Sequence, residues 1–357
     1  MKKSSIPALI IACLLLAACA GAPKSGNDGI SPAIHAAGFE WSSALMVAGY
    51  WKNGEWKRLA PVPSAGNSWA MDLELSGDDT IMGGFITRDD KVMVGGYWKN
   101  GTWAGLSQLS DSKDSWVVSL AVQDGHIYAG GFSSDSSGVR VPGYWKDGSW
   151  VGLPQLSPAH DSVVNSMVVS GGDIYAAGSS SNGAGVRVAG YWKNGEWTGL
   201  TPLSPSKDSV VGPFVISSGD IHAGGYSVDD SDVHVPGYWK NGSWIGLPQV
   251  SAGHQSEVNC LFISGSNVYA GGYSSDGSNV QIPGYWKNGT WIGLPQLSTA
   301  GNSMVWSIDE ANGDIYAGGF SSAKPGAMVA GYWKNGKWVK LSDNSSGLRS
   351  VMSIVVR

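Results

Sequence analysis

The stretch Gly49-Tyr50-Trp51-Lys52-Asn53-Gly54-Glu55-Trp56 decides the fold, because it returns six more times at an interval of 47 residues. The further copies begin at Gly96, Gly143, Gly190, Gly237, Gly284 and Gly331. A fixed interval over seven copies is typical of a repeat architecture, in which each unit buries its faces only against neighbouring units.

Each copy contains the sequence signature of a β-hairpin. The rest of each copy contains further short strands. An Asn-Gly dipeptide, replaced by Asp147-Gly148 in the third copy, separates two runs that each contain Trp. Both of its residues readily adopt the positive φ angles of a type I′ turn. In the third copy, turn residues delimit four predicted strands, A to D, at residues 115–123, 126–132, 139–145 and 149–153.

The chain ends predict how the repeats close. Residues 34–39 match strand B of later copies, so the first copy lacks strand A, and residues 350–356 match strand A as it occurs at 162–168. We therefore predict an all-β fold over residues 34–357. It is a seven-bladed β-propeller of four-stranded antiparallel blades, closed when the C-terminal strand joins the N-terminal blade. Pro142, Pro236 and Pro283 fall within strand C, which predicts a bulge beside the following Gly.

The repeat resembles a known family. The apolar run 127–131 ending in a double Gly, followed by Tyr144, Trp150 and Leu153, is similar to the kelch repeat, and the similarity covers residues 34–357. The copies differ from kelch repeats in placing Trp directly after the Tyr. They also carry Asn, Asp or Gln where kelch repeats often have Arg ahead of strand A, and only Arg349 keeps that Arg.

The N-terminus predicts export. Lys2 and Lys3 precede the apolar run 6–18, which is too short to span a bilayer comfortably and indicates a signal peptide over residues 1–18. Residues 16–19, Leu-Ala-Ala-Cys, resemble the bacterial lipobox, which implies cleavage before Cys19 and attachment of fatty acyl groups such as palmitate. Residues 19–33 then form a lipidated, flexible tether. Ala20 is not the Asp that retains lipoproteins at the inner membrane, so the expected location is the bacterial cell envelope, at the outer membrane.

Composition narrows the function classes. Charged residues make up 14% of the chain and the net charge is −5, without a basic stripe, so nucleic acid is not an expected partner. Cys13 leaves with the signal peptide and Cys19 is acylated, so the body has one thiol, Cys260, expected as a small buried hydrophobe. We expect a monomer.

The aromatic residues separate into repeated and unique positions. Fourteen of the 18 Trp residues occupy the two repeat columns, where packing between blades is favoured over seven identical ligand sites. Four Trp residues break the repeat and are better site candidates: Trp41, Trp69, Trp116 and Trp306.

Nothing in the sequence assembles a catalytic centre. A nucleophile with a base, a pair of placed carboxylates or an open metal site is required for hydrolysis, and the six His residues lack metal-ligand spacing. In the acidic turn 229–232, solvated side chains are favoured over a calcium site. No cofactor and no metal are expected.

Binding is instead expected on one face of the ring. The loops before strand A and between strands B and C share an end that we call the top face. Candidate ligand-binding residues there are Trp69, Asp114, Trp116, Asp161, Asp208, Glu257, Trp306 and Arg349. A Ser column follows the Asp/Asn column, and each Ser is expected to cap or turn its own loop. The alternative is a ring of hydroxyls and carboxylates facing a polar ligand.

The expected function is therefore non-enzymatic. A lipid-anchored propeller would bind an extracytoplasmic protein or glycan through its top-face loops. The alternatives are an envelope enzyme acting on polysaccharide and a purely structural surface protein. Strand direction places the tether at the opposite, bottom face, together with the seven repeat Lys residues. These either keep the hairpins soluble or are attracted to an anionic membrane, and the tether alone favours a pose with the bottom face toward the membrane.

Overall fold

A computed structural model describes residues 31–42, 45–59, 65–341 and 348–357. These residues form 28 strands in seven four-stranded sheets. The first blade contains β1 (Ile34–Ser42), β2 (Leu45–Lys52) and β3 (Glu55–Arg58). Blade 2 contains β4 (Ala65–Ser76), β5 (Asp79–Arg88), β6 (Met93–Lys99) and β7 (Thr102–Gly105). Blade 3 contains β8 (Ser115–Gln123), β9 (His126–Ser134), β10 (Arg140–Lys146) and β11 (Ser149–Gly152).

The remaining blades repeat the pattern. Blade 4 contains β12 (Ser162–Ser170), β13 (Asp173–Ser181), β14 (Arg187–Lys193) and β15 (Glu196–Gly199). Blade 5 contains β16 (Ser209–Ser217), β17 (Asp220–Val228), β18 (His234–Lys240) and β19 (Ser243–Gly246). Blade 6 contains β20 (Ser256–Ser264), β21 (Asn267–Ser275), β22 (Gln281–Lys287) and β23 (Thr290–Gly293). Blade 7 contains β24 (Met304–Ala311), β25 (Asp314–Lys324), β26 (Ala327–Lys334) and β27 (Lys337–Lys340), and β28 (Arg349–Val356) returns to blade 1.

The blades form a closed ring around strand A. The seven A strands, β28, β4, β8, β12, β16, β20 and β24, contact one another in a circle, so strand A lies at the axis and strand D at the perimeter. β28 pairs antiparallel with β1, from Ile34 opposite Val356 to Glu40 opposite Arg349. Ala33 and Arg357 exchange two backbone hydrogen bonds beyond this ladder. The predicted seven-bladed all-β fold and its closure by the C-terminal strand are confirmed.

The repeated hairpin forms as its sequence predicts. Asn53 and Gly54 have φ angles of 51° and 87°, the two positive values of a type I′ turn. The Asn53 side-chain oxygen also accepts the backbone N–H of Ile34 at 2.8 Å. This hydrogen bond ties the turn to strand B and gives the repeated Asn a second role.

The two Trp columns hold neighbouring blades together. The strand C Trp residues are at most 1% exposed, and each strand D Trp packs on its partner, with ring centroids 4.5 Å apart in blade 3. The Trp145 indole N–H donates to the Ser107 carbonyl of blade 2 at 2.8 Å. The same contact recurs in blades 4 to 7, as in Trp192 to Pro154. The prediction that these columns pack between blades is confirmed.

The predicted bulge in strand C is wrong. Pro142 pairs with Phe132 in an unbroken register, and pairing with strand D begins only at the next residue, Gly143. The N–H at this position therefore lies outside the ladder, and a Pro is tolerated. The bulge occurs in strand A instead, where Val118 is the extra residue between Val117 and Ser119.

The first blade departs from the 47-residue spacing by one residue. Gly38 pairs with Val351, whereas the equivalent Gly131 of blade 3 pairs with Val117. Arg349 therefore takes the place of Ser115 and not of Asp114, as the sequence alignment had it. The strand A prediction holds for this segment, but its register was wrong by one, because the chain between blades 7 and 1 is one residue shorter than the other connections.

Side chains from the A strands share one apolar cluster. Met71, Val118, Met352 and the half-buried Trp306 belong to it, together with Val163. These residues come from five consecutive blades, so the cluster joins the A strands of blades 7 and 1 to 4.

Candidate functional site on the top face

The predicted Asp column ties each blade to the one before it. An Oδ1 atom of Asp114 accepts the backbone N–H of Met93 at 2.9 Å. The same bond joins Asp161 to Arg140 at 2.9 Å and Asp208 to Arg187 at 2.8 Å. One carboxylate oxygen in each case therefore has a structural task, and ligand binding through the rest of the group stays a prediction.

The Ser column makes a second tie at the same joint. The Oγ atoms of Ser68, Ser115 and Ser209 accept the N–H of Ala48, Gly95 and Ala189 in the preceding blades. Where strand C has Pro, no N–H is present, and the Ser bonds a Ser on strand B of its own blade, as Ser162 does with Ser180 at 2.9 Å. These hydroxyls join strands. Ser256 also donates to the His254 carbonyl of its own loop at 3.5 Å. A ring of hydroxyls and carboxylates facing a ligand stays a prediction.

Aromatic rings form a continuous line across blades 1 to 3. Trp69 contacts Phe39 at 4.7 Å and Phe85 at 5.8 Å between ring centroids. Trp116 stacks on Phe85 at 4.7 Å and contacts Phe132 at 5.5 Å. Three of the four repeat-breaking Trp residues, Trp69, Trp116 and Trp306, thus lie in one cluster.

Exposure differs within this aromatic group. Trp116 is only 6% exposed, whereas Trp69 and Trp306 are half-buried. Trp41 lies near the end of β1 and is 39% exposed, beside the exposed Leu45. Apolar surface is therefore available at the rim of blade 1, while Trp116 serves mainly to pack blade 2 on blade 3.

A polar group lies across blades 4 to 6. Nδ1 of His234 is 2.7 Å from Oε1 of Glu257, and the imidazole stacks on Tyr226 with centroids 4.0 Å apart. Tyr226 also hydrogen-bonds Arg187, and Tyr273 hydrogen-bonds Glu257. Burial raises the pKa of both tyrosines, so their hydroxyls remain protonated at neutral pH.

One column of equivalent positions shows most clearly that the top face has an aromatic part and a polar part. The residue near the start of strand C is half-buried in every blade and differs in kind around the ring. From blade 1 to blade 7 the residues are Met46, Met93, Arg140, Arg187, His234, Gln281 and Met328. We call blades 7, 1 and 2 with their Trp residues the aromatic sector and blades 4 to 6 the polar sector. Arg140 lies at their boundary, with its guanidinium 4.9 Å from the Phe132 centroid.

Arg349 belongs to the aromatic side. It is 8% exposed, and its Nη2 lies 3.2 Å from Oε2 of Glu40 on the adjacent strand. The predicted site residues therefore divide in two. Trp69, Trp116, Trp306 and Arg349 lie in blades 7 to 3, while Glu257 and Asp208 lie with the polar sector.

The sequence interpretation missed two buried carboxyls at the axis. Asp72 is fully buried and accepts the N–H of Leu120 at 2.8 Å and the hydroxyl of Ser353 at 3.2 Å, which come from the two flanking blades. Asp309 accepts the N–H of Val356 at 2.7 Å. Burial raises the pKa of each to about 6. The available signal was that Asp72 replaces the Ser found at residues 119, 166 and 307 of the repeat.

The bottom rim differs from the predicted ring of seven free ammonium groups. Lys99, Lys193, Lys240 and Lys334 each pair with an Asp at the start of strand B, at 2.8 to 2.9 Å. Their charges are therefore balanced locally, and the rim is not uniformly positive.

Metal-ligand groups, a reactive thiol and a calcium-binding turn are the other kinds of site to consider among the described residues. These residues contain no group of three or more His, Cys, Asp or Glu side chains arranged for a metal ion. Cys260 is buried, which raises the pKa of its thiol. In the acidic turn, Oδ1 of Asp229 accepts the N–H groups of Ser231 and Val233 at 2.8 and 3.0 Å, which is an ordinary Asx turn.

The comparisons with known proteins do not identify a family for this chain. No protein-family model matches the chain, and no curated protein matches it. Among solved structures, the chain is similar to one titled "Structure of YjhT", at 11% identity, covering 73% of this chain and 92% of that chain with a TM-score of 0.43. Within the described ranges there is no helix with the length and hydropathy of a membrane span. The signal peptide, Cys19 and tether residues 20–30 lie outside the described residues.

Proposed function

We propose that this chain is a lipid-anchored, kelch-like propeller of the bacterial cell envelope that binds an extracytoplasmic protein or glycan on its top face. The proposal has no catalytic step. Its anchor would be the acylated Cys19, its location the outer membrane and its state a monomer.

The division of the top face into two sectors is the observation that carries the proposal. The seven units are nearly identical in their Trp columns and hairpins, yet the top-face columns differ from blade to blade. A stable ring requires only that each blade is joined to the next in an equivalent way, and the Ser and Asp columns supply these joints. Ring stability therefore does not explain why the other top-face columns vary. An aromatic wall beside a few convergent polar groups is the common composition of a ligand site.

The choice of test variants follows from burial. Trp116 and Arg349 are buried, and Arg349 pairs with Glu40, so their loss would disturb folding as well as binding. Trp41 is 39% exposed, and Glu257, although only 8% exposed, can be replaced by an amide of the same shape that keeps an oxygen toward His234. Trp41→Ala and Glu257→Gln therefore test the two sectors with less effect on the ring.

The experiment has two steps. A glycan array and a pull-down from envelope extracts are probed with the parent protein, and each captured component is then titrated against both variants. A substitution on the bottom face, Glu196→Gln, is the control. We expect at least one top-face variant to lose affinity about tenfold while the control retains it, since a buried contact to a ligand contributes more than 1 kcal/mol.

Other outcomes would change the assignment. Parental affinity in both variants, with melting temperatures unchanged, would place the site elsewhere. Turnover of a glycan would favour the polysaccharide-acting enzyme, for which the His234–Glu257 pair beside Tyr273 is the arrangement to examine first.

A further inference from the structure

Basic residues are distributed unevenly over the outer strands of the ring. The D strands of blades 2 to 6 have the sequences TWAG, SWVG, EWTG, SWIG and TWIG, without a Lys or Arg. The D strands of blades 1 and 7 are EWKR and KWVK. Four basic side chains thus interrupt an otherwise repeated strand in two neighbouring blades.

These four side chains are free to meet another surface. We call Lys57, Arg58, Lys337 and Lys340 the basic tract; all four are exposed. In the part of the chain that the structure describes, no ion pair joins any of them to an acid, whereas the hairpin lysines Lys99, Lys193 and Lys240 are paired. Among the described residues, therefore, no short-range ion pair balances the positive charge of the tract.

The tract lies in blade 1, where the chain enters the ring, and in the neighbouring blade 7. β1 begins at Ile34 in blade 1, and Ala33 bonds Arg357 at the end of β28. Blade 7 lies next to blade 1, since β24 contacts β28. Thirty residues precede the described fold, and the tether predicted within them begins at Cys19.

We propose that the basic tract docks on an anionic lipid surface and holds the ring tilted, with blades 7 and 1 toward the membrane. The proposal rests on the lipid anchor of the proposed function. A segment of about 12 residues, treated as a random coil, has a root-mean-square length of about 20 Å. An anchored body would thus stay close enough for its nearest charges to come within a Debye length of the headgroups.

The positive charge of the basic tract favours an anionic lipid surface as its partner. Each Lys or Arg near an anionic leaflet is attracted to it, and this attraction falls with salt. Solubility does not explain the tract, because the chain as a whole is acidic, with a net charge of −5. A solubilising role also gives no reason for the four charges to lie in the two blades beside the tether.

The test measures binding of the ring without its anchor. Residues 31–357 contain every strand of the seven sheets and lack Cys19, so this body carries no lipid. A cooperative melting transition is required of it before binding is measured. It is sedimented with phosphatidylcholine vesicles, with and without phosphatidylglycerol, at low and high salt. The tract variant carries Lys57→Gln, Arg58→Gln, Lys337→Gln and Lys340→Gln. The control carries Lys99→Gln, Lys146→Gln, Lys193→Gln and Lys240→Gln, which changes the net charge equally.

We expect the parent body to bind only the anionic vesicles and to be released by salt. The tract variant should bind at least tenfold more weakly, while the control stays within about twofold of the parent, because its lysines are distributed around the ring. Equal loss in both variants, equal binding to neutral vesicles or no binding at low salt would overturn the proposal. The body carries no covalently attached lipid, and neither variant changes a top-face residue. The binding results therefore do not depend on whether the proposed anchor or the proposed ligand site is correct.

Discussion

At the residue scale, Gly143 shows why the repeat unit begins with glycine. A Cβ atom there would lie 2.5 Å from Cη2 of Trp150 and 2.5 Å from the Val151 carbonyl oxygen. The strand D Trp covers the backbone at this point, and the same contact recurs at the equivalent Gly190. Glycine is thus required by the packing of the outer Trp on the strand.

Gly143→Ala should lower the free energy of unfolding by about 1–3 kcal/mol, the usual cost of an overpacked core. Gly183→Ala is the matched control, because a Cβ there has no neighbour within 4 Å and its φ is not positive. Denaturant titrations of both variants measure the difference. Equal stability of the two variants would show that the Trp150 ring moves aside at no cost.

The buried Asp72 gives the ring an unusual dependence on pH. Burial raises its pKa from 3.8 to about 6, so the protonated form is favoured in the folded state. The resulting stabilisation is fully present below about pH 4 and is lost as the pH rises through 6. A difference of this size corresponds to about 3 kcal/mol.

Asp72→Asn removes this titration and keeps an oxygen for the Leu120 N–H. The stability of the variant relative to the parent should therefore improve by about 3 kcal/mol between pH 4 and pH 7. Asp79→Asn should change in the opposite direction and only below about pH 4, because hydrogen bonding to Lys99 lowers the pKa of Asp79 from 3.8. A pH-independent difference for Asp72→Asn would show that the carboxyl ionises freely in the folded protein.

At the element scale, the joint between blades depends on whether strand C has a free backbone N–H to donate to the Ser of strand A in the next blade. The Ser115 hydroxyl accepts the Gly95 N–H at 2.9 Å, but Ser162 follows a blade whose strand C has Pro142 at this position. Ser162 bonds Ser180 instead. The repeat thus supplies an internal comparison of the same Ser with and without a donor to satisfy.

Ser115→Ala should cost about 1–3 kcal/mol, because it leaves the buried Gly95 N–H without an acceptor. Ser162→Ala should cost less, since Pro142 has no N–H. Thermal or denaturant unfolding of the two variants measures this. A larger loss in Ser162→Ala would mean that the hydroxyl pair with Ser180, and not the blade joint, stabilises this site.

The sequence predicted the elements well because their signals are local. In the third copy, strand A was predicted at its observed bounds, and strands B, C and D within two residues at each end. The errors concern interactions between elements. The Pro142 bulge was wrong because the N–H at this position faces the next blade, and the place of Arg349 was wrong because a connection shortened by one residue shifts β28.

The candidate site was less predictable, because neighbouring blades decide what each side chain contacts. The repeat breaks correctly indicated that Trp69, Trp116 and Trp306 share an environment. No pattern showed that Asp114 accepts a bond from Met93, or that Glu257 meets His234 of the preceding blade. Columns that vary in kind, such as the one from Met46 to Met328, were the overlooked signal for the two sectors.

At the scale of the whole molecule, β28 makes seven sheets into a ring. It pairs with β1 and contacts β24 and β4, and its Ser353 bonds Asp72 of blade 2. The chain ends meet there, since the Ala33 N–H donates to the Arg357 carbonyl at 2.6 Å. The covalent break in the ring thus lies within a sheet that is held by both of its neighbours.

Deleting residues 348–357 should therefore unfold or aggregate the body, because it removes a buried strand and exposes the edge of β1. A circular permutant is the control: residue 357 is joined to residue 31, and new ends are opened between Gly171 and Gly172, in an exposed turn between β12 and β13. Every strand is then present, and blade 4 becomes the blade assembled from both ends. We expect the permutant to melt within a few degrees of the parent and the truncated chain to lose its cooperative transition, as followed by circular dichroism and light scattering.

A truncated chain that melts with the parent would show that six complete blades and an incomplete one suffice. A permutant that fails while the parent folds would show instead that the position of the chain ends, and not the presence of β28, determines whether the ring closes.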